Sequence, residues 1–239
     1  MANKDYSKAP FVLFLIAAII AILRGLFSIN LFIFSRYIPE FNQVYASLGK
    51  SVYYGIVFSI IGLILGIVLL ITSFKTREKY DSKAFYIFGW LLAGIILAEF
   101  YIEAVLILIG FLIGIIKQEP WKESTIIISK FAIILGVVST IATFIRYFVY
   151  RELIGTLSLG LLKNFFLYFT IVSIILGLIV LIISIILYPK IKNRPSKDIF
   201  VLSLILGIVG FFSSASYGAI LLIITGIIGL RAFSKDYKP

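Results

Sequence analysis

The chain contains no cysteine and no histidine among its 239 residues, and a single methionine. Those absences remove disulfides, thiolate nucleophiles, imidazole bases, axial histidine ligands for haem and the ordinary zinc sites together. Charge is also scarce: 14% of residues are charged, and the 11 acids are half as many as the 22 bases. Proline occurs at six positions (Pro10, Pro39, Pro120, Pro189, Pro195, Pro239), all at the ends of apolar runs, in loops or at termini. The apolar runs are therefore expected to form helices that proline does not break. Neither a phosphate-binding glycine loop nor HExxH, GxSxG or a kinase-type set of motifs occurs. An intramembrane catalyst needs a nucleophile with its base, paired carboxylates or metal ligands. None is expected within the hydrocarbon, so the expectation is a non-enzymatic protein with no cofactor and no metal.

What is abundant is apolar. Hydrophobic residues make up 62% of the chain and the mean hydropathy is +1.13, against about 45–50% apolar residues in soluble domains. No soluble core of this size hides that much Ile, Leu, Val and Phe, so the chain belongs in a lipid bilayer.

A membrane helix needs about 20 apolar residues to cross roughly 30 Å of hydrocarbon. Six runs are closed by charges: Pro10 to Ile29, Val52 to Phe74, Phe85 to Ile116, Thr125 to Phe148, Phe165 to Tyr188 and Ile199 to Leu230. The third and the last would each make a helix of about 48 Å, too long for one crossing. Each reads better as a hairpin of two short helices, turning at Glu99 and Glu103 in the first case and at Ser213 to Gly218 in the second. The expected fold is an all-α integral membrane protein with eight transmembrane helices.

Basic residues test that count, because Lys and Arg accumulate on the cytoplasmic side of short loops. With eight spans, 16 of the 22 bases fall on one side. These are Lys4 and Lys8, three loop clusters (Lys75 to Lys83, Lys117 to Lys130, Lys190 to Lys197) and Arg231, Lys235 and Lys238. The N-terminus and the C-terminus are both expected in the cytoplasm, and the location is the cell membrane. The first run has no convincing cleavage site behind it and is expected to remain as a span.

The halves echo each other. Ser7-Lys8 with Arg24 recurs as Ser129-Lys130 with Arg146, Ser59-Ile60-Ile61 as Ser173-Ile174-Ile175, Ser82-Lys83 as Ser196-Lys197, and Tyr101 with Gly110 as Tyr217 with Gly226. This predicts two parallel four-helix repeats, residues 1–121 and 122–239, related by a pseudo-twofold axis along the membrane normal. Within the first outer loop, Pro39, Phe41, Val44, Tyr45, Leu48 and Gly49 have the spacing of an interfacial helix over about 39–48.

Small residues at helical spacing are expected to let helix backbones approach closely: Gly55, Ser59, Gly62 and Gly66, then Gly110 and Gly114, and later Ser203 and Gly207. The expected polar site is Arg24, Arg146, Glu99 and Glu103 near the outer interface. Arg24 and Arg146 each lie sixteen residues beyond an inner Lys. Each ends a small-residue stripe, Ala17 and Ala21 in one case, Ser139 and Thr143 in the other. Snorkelling to headgroups is the plain alternative for the arginines, and solvation at a short outer turn is the plain alternative for the glutamates.

The net charge of +11 follows the positive-inside bias and favours anionic lipid headgroups as partners rather than nucleic acid. The favoured role is a structural or interaction subunit of a membrane complex, with protein partners or further copies of itself. The alternative is a small transporter or channel whose path runs between the repeats.

Overall fold

The computed structural model describes residues 8–35, 37, 50–76, 82–118, 120–156 and 161–236. Among them are eight helices and no strand: α1 (Lys8–Ser35), α2 (Lys50–Thr76), α3 (Ser82–Leu97), α4 (Tyr101–Gln118), α5 (Trp121–Thr156), α6 (Leu161–Asn193), α7 (Lys197–Phe211) and α8 (Ser216–Asp236). Four described stretches are long and apolar enough to cross a membrane: Ala9–Phe34, Gly55–Lys75, Trp121–Val149 and Leu167–Asn193, on α1, α2, α5 and α6. The remaining helices are short, with 16 residues in α3, 18 in α4, 15 in α7 and 21 in α8.

Several boundaries move relative to the sequence reading. The apolar run puts the first span at Pro10 to Ile29, but α1 continues to Ser35, because Leu31, Phe32, Ile33 and Phe34 carry the apolar pattern on with no helix breaker. Arg24 therefore has about 16 Å of helix beyond it and does not sit at the helix end. Helix α6 runs through Pro189 to Asn193, so a proline does lie inside a helix, near its last turn. The interfacial helix expected over 39–48 falls outside the described residues.

The chain divides into two compact units. Unit 1 is Met1–Lys117 with Phe148–Ser158, and unit 2 is Gln118–Tyr147 with Leu159–Pro239.

In unit 1, α1 packs on α2. A Cβ at Gly25 would stand 2.8 Å from Leu63 Cβ, and one at Gly66 would stand 3.0 Å from Ala21 Cβ. Ala17 and Ala21 are wholly buried, so the small-residue stripe below Arg24 faces protein, and Ala21 on it lies against α2. Phe14 of α1 stacks on Phe88 of α3 with ring centroids 3.9 Å apart. It also fills the space above Gly110 of α4, where a Cβ would come within 2.7 Å of the ring.

In unit 2, α7 and α8 form the tight pair. A Cβ at Gly207 would meet Ile223 N at 2.7 Å and Ala219 O at 2.8 Å, and Ser203 Oγ donates to Leu222 O at 3.0 Å. Helix α7 starts cleanly: Ser196 is the N-cap, and its hydroxyl accepts from Ile199 N, satisfying one of the free amides of the first turn. Elsewhere in both units hydroxyls bond back one turn, as in Ser59 to Gly55 O, Ser73 to Leu69 O and Ser184 to Val180 O. That is how an apolar helix tolerates Ser and Thr without a partner helix.

Candidate functional site

The α3–α4 hairpin turns on three residues, Ala98, Glu99 and Phe100. Phe100 N bonds back to Ile95 O and Glu99 N to Ile96 O, the paired bonds of a Schellman ending. That ending requires a left-handed residue, and Glu99 supplies it with φ 63. Glycine normally takes this position because a Cβ is strained there. Helix α4 then begins at once, with Ala104 N bonding to Phe100 O.

Glu103 lies in the first turn of α4, where the helix dipole favours a carboxylate. It is fully buried. Arg24 reaches it from α1, with Nη1 at 3.4 Å from Oε2. The other guanidinium nitrogen, Nη2, donates to Glu99 O at 3.4 Å, and the guanidinium carbon lies 4.6 Å from the centre of the Phe100 ring. Phe100 in turn occupies the space that a Cβ on Gly62 of α2 would take. One arginine thus engages a carboxylate, a backbone carbonyl and an aromatic face, all within five residues of the hairpin turn. Helix arithmetic explains the meeting. Sixteen residues separate Lys8 from Arg24 and sixteen make up α3, so both rise about 24 Å from their first residues.

The carboxylate is not fully bonded. Among the described residues, Glu103 Oε1 is buried and has no hydrogen-bond partner, while Oε2 has only the 3.4 Å contact. A charge-assisted N–H···O bond is normally about 2.7–2.9 Å. The plain alternative, a solvated carboxylate at the turn, does not hold for Glu103. Glu99 and Glu103 also do not share a helix face, because the left-handed turn at Glu99 intervenes. Glu99 contributes its backbone carbonyl to Arg24.

Arg146 belongs to unit 2, on α5, and acts electrostatically on Tyr217 at the start of α8. The α7–α8 turn in that unit is held without an acid. Ser214 N donates to Ser173 O of α6 at 3.0 Å, and Ser214 Oγ and Thr140 Oγ1 of α5 are 3.1 Å apart. Ser213 Oγ donates to Gly210 O at 2.6 Å and accepts from Ala215 N at 3.1 Å. Gly177 leaves room for Ser214 Oγ, and Gly218 lets α8 lie against Ala132 O and the Gly136 backbone of α5. On the repeat expected from the sequence, Glu99 and Glu103 correspond to Ala215 and Ala219, and these two alanines are buried.

Of the small residues singled out for packing, Ser59, Gly62, Gly66, Gly110 and Gly114 are buried. Gly55 is exposed, and among the described residues a Cβ there would meet nothing within 4 Å, so it makes no packing contact with them. The sequence did not indicate Phe100 or the carbonyl of Glu99 as part of the polar cluster. The aromatic residue directly after the acid was its one available signal. Among the described residues no group of three or more acids forms a metal-binding cluster. No family model, curated protein or solved structure matches this chain.

Proposed function

We propose that the chain is a multi-pass protein of the cell membrane, and that it acts as a small transporter or channel with its ion-handling group in unit 1. On this reading α1, α2, α5 and α6 cross the bilayer, and α3–α4 and α7–α8 enter from the cytoplasmic side as short hairpins. Both termini lie in the cytoplasm, and the two halves, residues 1–121 and 122–239, descend from one duplicated four-helix repeat. The basic residues of the α2–α3, α4–α5 and α6–α7 connections support that sidedness.

The observation that carries the transport reading is Glu103: a fully buried carboxylate with one oxygen unpartnered, on a hairpin shorter than the helices around it. Ionisable groups within membrane segments are costly, and they mark ion and substrate paths. The structural-subunit expectation leaned on having no buried charge, and Glu103 removes that support. Purified protein reconstituted in vesicles should carry alkali cations or protons faster than empty vesicles, read with an internal ion-sensitive dye under an imposed gradient. Equal leak in both would sink the transport reading.

A second reading keeps the chain as a structural or interaction subunit, alone or with copies of itself, in contact with anionic lipid. Its support is the exposed apolar surface of α2 and α6, whose spans are only 17% and 28% buried. Isolation from native membrane in a mild extractant, with defined stoichiometric partners, would favour it.

A further inference from the structure

We infer that Glu103 Oε1 is a coordination position for a small monovalent cation, and that Arg24 is the tethered competitor that occupies the same carboxylate when the ion is absent. The choice of a cation as the ligand rests on the transport reading, but the site itself is argued from geometry.

An ionised carboxylate offers about four lone-pair positions. Glu103 uses one, through a single long contact at 3.4 Å, and Oε1 uses none. Arg–carboxylate pairs are frequently bidentate and short, with both oxygens engaged. This one is slack, and its slack side is buried.

The two partners differ in freedom. Glu103 is 0% exposed and fixed in the first turn of α4, whereas the Arg24 side chain is 45% exposed. The guanidinium stands on a flexible stem and has somewhere to go; the carboxylate does not. Its other holds, the Glu99 carbonyl and the Phe100 face, are neutral and remain available when the carboxylate is taken.

The ligand chemistry follows from the donors. A carboxylate oxygen is hard, the Glu99 carbonyl on the same guanidinium is another hard oxygen, and the negative end of the α3 dipole faces the same turn. Glu103 is the one fully buried carboxylate of the turn. Once the guanidinium has moved off, a monovalent ion neutralises it, whereas a divalent ion would leave an excess positive charge beside it. When the ion enters, Arg24 withdraws from Oε2, so ion and guanidinium are mutually exclusive on Glu103 and their affinities oppose each other.

The test uses the full chain in detergent at constant ionic strength, with Na+, Li+ or K+ replacing N-methyl-D-glucamine, read as Tm. The wild-type protein should show a saturable, ion-selective rise in Tm. Glu103→Gln should abolish it, Gly55→Ala should leave it unchanged, and Arg24→Gln should lower the half-saturating concentration by about tenfold, within the usual range of coupling between two sites. Should Glu103→Gln fail to fold, the wild-type ion response and its strengthening in Arg24→Gln decide alone. A wild-type Tm that is the same in all four cations overturns the site, leaving a water on Oε1, as does an unchanged or weaker ion response in Arg24→Gln. Ion-selective stabilisation without vesicle flux would remove the transport reading and keep the site. Flux that Glu103→Gln leaves intact would do the reverse.

Discussion

Two hairpin turns, one in each unit, meet the same physical demand by different chemistry. Each is a polar reversal of the backbone among apolar helices, and each must satisfy groups that hydrocarbon cannot. The α7–α8 turn uses neutral partners: the Ser173 carbonyl, the Thr140 hydroxyl and its own Ser213. The α3–α4 turn uses a charged pair, in a backbone conformation that is strained for Glu99. The neutral solution answers its hydrogen bonds at normal lengths. The charged one leaves Glu103 Oε1 unanswered. Had unit 1 needed only a turn, the seryl arrangement of unit 2 would have sufficed without burying an ion. The difference is the reason the proposed ion site is placed in unit 1, with the unit 2 turn as its structural reference.

The largest expected effect that tests this contrast is Arg24→Met. It leaves Glu103 buried without its cation and should cost about 3 kcal/mol, the lower part of the range for breaking a buried pair because Arg24 is half-exposed. Denaturant unfolding in mixed micelles would measure it, and adding Met at Glu103 as well should recover most of the loss. Next is Gly218→Ala, whose Cβ would run into backbone atoms of α5 that have no rotamer to change. It should cost about 2 kcal/mol, typical of overpacking, and should show as a lower Tm with no change in ion response. Thr140→Val removes one hydroxyl from the unit 2 turn and should cost about 1 kcal/mol or less, as membrane-buried hydrogen bonds do. A loss as large as that of Arg24→Met would erase the distinction between the two turns. The smallest is Glu99→Gly. Relief of the left-handed strain, partly offset by a floppier unfolded chain, should raise stability by about 0.5 kcal/mol, and hydrogen exchange at Phe100 N should slow.

The helical character and the long apolar stretches were readable in the sequence because hydropathy acts residue by residue and lipid enforces backbone pairing within each helix. The ends were less readable. Nothing in Asn30 to Ser35 marks a stop, so α1 runs past the point where composition stops looking like a span. Glu103 and Arg24 could be singled out as ionisable groups in an apolar setting, yet Glu103 reads as a solvated turn residue until the left-handed step at Glu99 rotates α4 and carries its carboxylate inward. That step is a backbone event at a residue type that seldom adopts it. Gly55 fails as a packing residue for the converse reason: spacing assigns a face, but only a neighbour makes it a contact. Ser214 shows the limit of reading turns from Ser and Gly content. The turn was visible, and its anchors, Thr140 and the Ser173 carbonyl, lie 74 and 41 positions away along the chain.

The shortness of α3–α4 has an electrical side. Its turn lies about 24 Å from Ser82, whereas α1 continues about 16 Å beyond Arg24. On the proposed topology the hairpin stops inside the dielectric, and an ion travelling between the outer solution and Glu103 crosses part of the membrane voltage on the way. A full crossing is worth about 2.3 kcal/mol per charge per 100 mV. A site roughly one third of the way through would feel about 0.8 kcal/mol of that, enough to change its occupancy about fourfold when the membrane is energised. On the proposed reading, the length of one short helix sets how strongly a resting potential loads the carboxylate from outside.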